Sequence, residues 1–75
     1  MTDRIVAIVN KELIMQSEVR SETAAEEPRL REQYKGAELQ RRLQQLEYIA
    51  LSRMIERKLQ LQWAQARGMD VSEEE

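Results

Sequence analysis

Cysteine and histidine are absent from this 75-residue sequence, and proline occurs once, glycine twice and aromatic residues three times. Without cysteine no disulfide can staple the chain, and without cysteine and histidine the common zinc ligand sets are excluded. With no His or Cys and no pocket-forming length, nucleophilic and general-base arrangements have little support, so no catalytic residues are expected and no cofactor or metal is assigned. A chain of this length makes at most one small domain, and below ~70–80 residues stability usually needs outside help. With disulfides and metals set aside, that help comes from oligomerisation or from a further piece of the domain.

Long apolar runs are missing too. The longest is Ile5 to Val9, far short of the ~20 residues that cross a bilayer, so membrane insertion is not expected. No excess of positive charge exists: 12 Lys and Arg stand against 14 Asp and Glu, a net charge of −2. Arg41, Arg42, Arg53 and Arg57 alternate with Gln and Glu as a solvated face, which excludes the basic strip that a nucleic-acid partner would need. No signal-peptide pattern opens the sequence, because Met1-Thr2-Asp3-Arg4 leads straight into a strand-like segment. On that basis the protein is cytoplasmic, or a targeting segment lies upstream of this sequence. A hydrophobic share of 41% still fits a folded chain, while 35% charged residues and three aromatics imply a thin core.

What is present begins with β-branched residues. Ile5-Val6-Ala7-Ile8-Val9 suits a pleated strand, Asn10-Lys11-Glu12 interrupts it, and Leu13-Ile14-Met15 resumes the apolar run. Two such runs across three polar residues predict a β-hairpin over 5–15. The turn has no glycine, so Asn10 is the residue best able to take a positive φ. Both faces of the first strand are apolar, and a lone hairpin is marginal in water, so this one must dock on something. Ser17 then offers an N-cap with Glu18 in the first turn, opening a short helical region over 18–34. Pro28 suits the first turn of a second helical piece, with Leu30 and Tyr34 pointing inward, and Gly36 is a breaker or C-cap.

From Ala37 to Arg67 there is no glycine or proline, and strong helix formers dominate. Leu39, Leu43, Leu46, Ala50 and Met54 recur at spacings of three and four, on one face. Tyr48, Leu51, Ile55, Leu59 and Ala66 form a second stripe, and Leu61, Trp63 and Ala64 make the last turns apolar nearly all round. The pattern predicts a central helix over 37–67, packed from at least two sides, with Leu43, Leu46, Ala50, Met54, Ile55 and Leu59 buried. Gly68 is expected to end it, and Ser72-Glu73-Glu74-Glu75 reads as the N-cap and acidic first turn of a further helix over 72–75. Dipole complementarity accounts for those three carboxylates, which make no cation cage without further ligands. The fold class expected is mainly α: an N-terminal β-hairpin, a short first helix and a long central helix, completed by dimerisation or element exchange.

The stretch Met54-Ile55-Glu56-Arg57-Lys58-Leu59-Gln60-Leu61-Gln62-Trp63-Ala64-Gln65-Ala66-Arg67-Gly68-Met69-Asp70-Val71-Ser72-Glu73-Glu74-Glu75 resembles the signature of SurA-like N-terminal domains. There a helix of the form "LI…LLLQ-A" ends in Gly, an aliphatic residue, a polar one, Val or Ile, and Ser-Asp/Glu-Glu. Asp3 to Asn10, followed by Leu13-Ile14-Met15-Gln16-Ser17-Glu18-Val19, is similar to that family's opening hairpin and first helix start. Tyr34-Lys35-Gly36-Ala37-Glu38-Leu39 is similar to a turn before the long helix in some members. The resemblance covers nearly the whole chain and implies a periplasmic chaperone domain that holds unfolded outer-membrane proteins. It also implies a parent that continues into one or two parvulin-type prolyl isomerase domains and then returns to complete the chaperone domain. Any isomerase activity would belong to those domains, and the sequence reads as a single domain cut off before them.

Two functions compete on these grounds. One is a chaperone domain binding unfolded polypeptide clients through exposed apolar surface; the other is a structural homodimerisation domain with no client. Either would use the hairpin residues Ile5, Ile8, Leu13 and Met15 together with Leu51, Ile55, Leu59 and Trp63 on the long helix. The hairpin edges can template an added strand, although pairing within the domain or its dimer is the commoner role for such edges. Met15, Met54 and Met69 offer adaptable contacts, with core filling the default for Met54. Trp63 is an anchor in a groove or a packing residue against the first helix or a second chain. A homodimer with exchanged elements is expected, the partner's long helix lying on Leu51, Ile55 and Leu59.

Overall fold

A computed structural model describes the backbone of residues 2–73 and the side chains of residues 2–67. The elements run β1 (Ile5–Val9), β2 (Glu12–Met15), α1 (Gln16–Thr23), α2 (Glu27–Gln33) and α3 (Gly36–Glu73). The architecture is the expected one: mainly helical, with one short antiparallel hairpin, short helices and a long central helix.

The hairpin turns on two residues, since Val9 pairs with Glu12, and Asn10 takes φ 60° as its short amide side chain permits. Glu12, read as part of the turn, belongs to β2. Farther from the turn the register slips by one residue between Ile5 and Ala7, which is a bulge at Val6. A bulge lets residues three apart point the same way. Ala7, Val9 and Ile14 therefore face α3, while Ile5, Ile8, Leu13 and Met15 share the opposite face.

At the start of α1 the cap differs from expectation. The helix begins at Gln16, with Ser17 already in its first turn. Asp3 does the capping from a distance: its carboxylate accepts the Ser17 backbone N–H at 3.0 Å and the Ser17 hydroxyl. Glu18 reaches back to accept the Met15 N–H at 2.8 Å. These carboxylates satisfy amides that the helix start leaves without partners and sit at the positive end of its dipole. The Ser17 hydrogen bond in particular holds the Asp3 carboxyl below the usual carboxylate range.

α2 carries Pro28 in its first turn, and Leu30 and Tyr34 are half-buried as expected. The chain then breaks at Tyr34 and Lys35. Gly36 opens α3 with φ 59°, and a Cβ there would meet no other atom within 4 Å. Its glycine requirement is conformational and not a matter of space.

The core is small. Val9, Ile14, Val19, Ala50 and Met54 are buried, with Val6, Ala7, Leu51 and Ile55 packed partly against them. Of the six α3 residues expected inside, Ala50 and Met54 are buried, Leu43, Leu46 and Ile55 are half-buried, and Leu59 is 47% exposed. The reason is coverage: an 8-residue helix, a 7-residue helix and a two-stranded hairpin cannot wrap a helix of 38 residues.

α3 also passes through Gly68 and Ser72, where a stop and a new start were expected, and runs to Glu73. One interior glycine costs only about 1 kcal/mol against alanine, and the helix formers on both sides of Gly68 outweigh it. Glu74 and Glu75 of that expected new helix, and the Met69 side chain, lie outside the described residues. The resulting molecule is elongated, 54 × 25 × 17 Å with a radius of gyration of 16.4 Å, against about 11 Å for a compact chain of this length.

Candidate functional site

Pairing across the hairpin builds its outer face. Ile8 stands opposite Leu13, and Ile5 opposite Met15, so four apolar side chains gather on one side of two short strands. Ile8 is 63% exposed, Ile5 52% and Leu13 45%, with Met15 half-buried. Ile8 and Leu13 neighbour the hydrogen-bonded pair that closes the turn, which makes theirs the closer type of cross-strand pair. A cluster of this kind is the informative departure from a normal surface, where exposed apolar residues are scattered singly.

The face is presented on a fixed base. Glu12 points inward with Ile14 and meets the Lys58 ammonium of α3 at 3.3 Å. One helical turn on, the Gln62 amide donates to the Val9 carbonyl at 3.0 Å and accepts from the Asn10 side chain. Residues 58 and 62 lie on one face of α3, in line with Leu51 and Ile55, so the helix that supplies the apolar seat also holds the turn. At the other end of the hairpin, Gln16 N–H donates to Arg4 C=O at 2.7 Å and continues the strand pairing into α1. Beside this seat, Val6, Val19 and Leu51 floor an open groove of about 290 Å³ rimmed by Arg4, Gln44 and Tyr48.

The sequence-derived site residues thus divide. Ile5, Ile8, Leu13 and Met15 come together on the outer hairpin face. Leu51 and Ile55 lie beneath the hairpin, packed against its inner side. Leu59 and Trp63, 47% and 63% exposed, stand on a separate side of α3 with Tyr48, which is 72% exposed. Arg67 covers one side of the Trp63 ring, its guanidinium carbon 4.4 Å from the centroid. The clasp of Asn10, Lys58 and Gln62 went unread, because a glutamine 52 residues from its partner leaves no local signal in a sequence.

Chemically the arrangement offers apolar contact and strand edges. No group of His, Cys, Asp and Glu among the described residues is placed to hold a metal ion, and no described helix is long and apolar enough to cross a membrane. The class defined by this geometry is a small helical domain that displays an apolar hairpin. A family model described as the SurA-like N-terminal domain matches residues 1–75, the full length of the chain. The chain belongs to the SurA-like N-terminal domain family, and that domain is the non-catalytic, chaperone part of a periplasmic protein family. Comparison with curated proteins and with solved structures returns no match.

Proposed function

We propose that this chain is a periplasmic chaperone domain that binds unfolded outer-membrane polypeptides. The observation that carries the proposal is the outer face of the hairpin, where Ile5, Ile8 and Leu13 stay exposed on a sheet of only two strands. An unfolded polypeptide satisfies both features at once. Its backbone can add to an unpaired strand edge, and its apolar side chains can cover the four hairpin residues. Family membership supplies the context of unfolded clients and of the periplasm.

The test is suppression of aggregation of a urea-unfolded outer-membrane protein on dilution, with the 75-residue chain present in molar excess. The parent chain is expected to delay light scattering, and the Ile8→Glu/Leu13→Glu double variant to lose that effect while keeping its helicity. Aggregation that proceeds equally with and without the parent chain would sink the proposal.

A further inference from the structure

The surface of this chain is too large for its mass. It exposes 6226 Å², whereas a compact monomer of 8.9 kDa exposes about 4,800 Å², an excess of about 1,400 Å². A standard interface takes about 800 Å² from each partner, so the excess accommodates one such contact and leaves several hundred Å² for the hairpin face.

The location follows from α3. At 100° per residue Tyr48, Ser52, Leu59 and Trp63 fall within about 60° of one another. All four are exposed, and they lie to one side of Leu51 and Ile55, which the hairpin already covers. A straight helical row is matched by another helix, whose ridges enter its grooves. Among the described residues, the long helix that carries a complementary row is α3 itself.

We infer that the Tyr48–Trp63 side of α3 packs antiparallel against the same side of a second copy of this chain. A twofold axis near residues 55 and 56 sets Tyr48 opposite Trp63 of the other copy, and Ser52 opposite its Leu59. The pairings are large with large at the ends, and small with large near the axis, where the short Ser52 side chain leaves room for leucine. Antiparallel placement also opposes the two helix dipoles favourably. This contact differs from the partner helix on Leu51, Ile55 and Leu59 expected from sequence, because the hairpin occupies the first two. It uses a different face from the hairpin's, so its failure leaves the polypeptide-binding reading standing.

Sedimentation equilibrium of the parent chain between micromolar and submillimolar concentration tests it, with Trp63 fluorescence as the second readout. The expected result is twice the 8.9 kDa chain mass at the upper end and a blue shift of emission as the dimer forms. Leu59→Glu and Ser52→Lys are each expected to weaken association at least ~tenfold with unchanged helicity, and an equimolar mixture of the two to recover it. A parent that stays at the monomer mass throughout would overturn the inference. So would a Leu59→Glu chain that dimerises like the parent, or a mixture that associates no better than its components.

Discussion

The two faces of the hairpin are made of the same kind of residue and meet opposite fates. Val9 and Ile14 on the inner face are 5% and 0% exposed, while Ile8 and Leu13, their immediate neighbours in sequence, are 63% and 45% exposed. Hydrophobicity alone does not distinguish Ile8 from Ile14. Strand pleat, the position of the turn and the bulge at Val6 make the assignment, and only one face can rest on a single helix. A strand that is apolar on both faces in a protein with one supporting helix has a surface left over. That surplus is where binding is sought.

The largest expected effect breaks this comparison directly. Ile14→Ala removes most of the one large side chain that is fully buried among the described residues and is expected to cost about 2–5 kcal/mol. A chain of this size has roughly 4–11 kcal/mol in all, so the variant should lose a large share of its stability and melt well below the parent by circular dichroism. Leu13→Ala next to it should cost no more than about 1 kcal/mol, as partly exposed positions usually do. Similar midpoints for the two variants in a urea melt would show that the register assigned to the hairpin is wrong.

Much of the fold was legible because its signals are local. Short apolar runs, β-branched in the first, give the strands, Asn10 the turn, Pro28 the start of α2, and an unbroken run of helix formers gives α3. The four outer hairpin residues were legible as candidates but not as one face. Ile5 and Ile8 are three apart, and in a regular strand they point to opposite sides; only the bulge, which has no glycine to announce it, brings them together. Capping was misplaced for a related reason. Ser17 has the right chemistry for an N-cap, but the continuation of β2 directly into α1 starts the helix earlier and turns Ser17 into a donor for Asp3. At Gly68 a local stop signal yields to the propensity of its neighbours, and Leu59 is exposed because too little chain folds back to reach it. Contacts that depend on distant partners, or on the absence of partners, have no sequence signature.

A smaller effect sharpens the comparison by asking what keeps the hairpin seated. Gln62→Ala removes the hydrogen bonds to the Val9 carbonyl and from the Asn10 side chain, and is expected to cost about 1 kcal/mol. Amide hydrogen exchange should quicken in residues 5–15 and remain unchanged in α1, since local opening draws on the contacts of that unit alone. Uniform quickening throughout the chain would mean that hairpin and helices open as one unit, and that the clasp has no separate role.

The smallest effect concerns the Asp3 carboxyl, whose ionisation the fold favours. Asp3 accepts hydrogen bonds from Ser17 and from the Arg4 N–H at 2.9 Å, and its pKa is lowered, first by the Ser17 hydroxyl. A group whose folded pKa is lowered binds its proton more readily in the unfolded chain. Its contribution is therefore complete above the unfolded value of about 3.9 and is lost as pH falls through the folded value. Because Asp3 is exposed, water and salt screen the interaction and the effect stays small. Asp3→Ala should thus melt slightly below the parent at neutral pH, and the gap should close as the pH is taken from about 5 toward 2. A gap that persists unchanged at the acid end would mean that Asp3 acts through packing of the segment before β1, with its charge irrelevant to the start of α1.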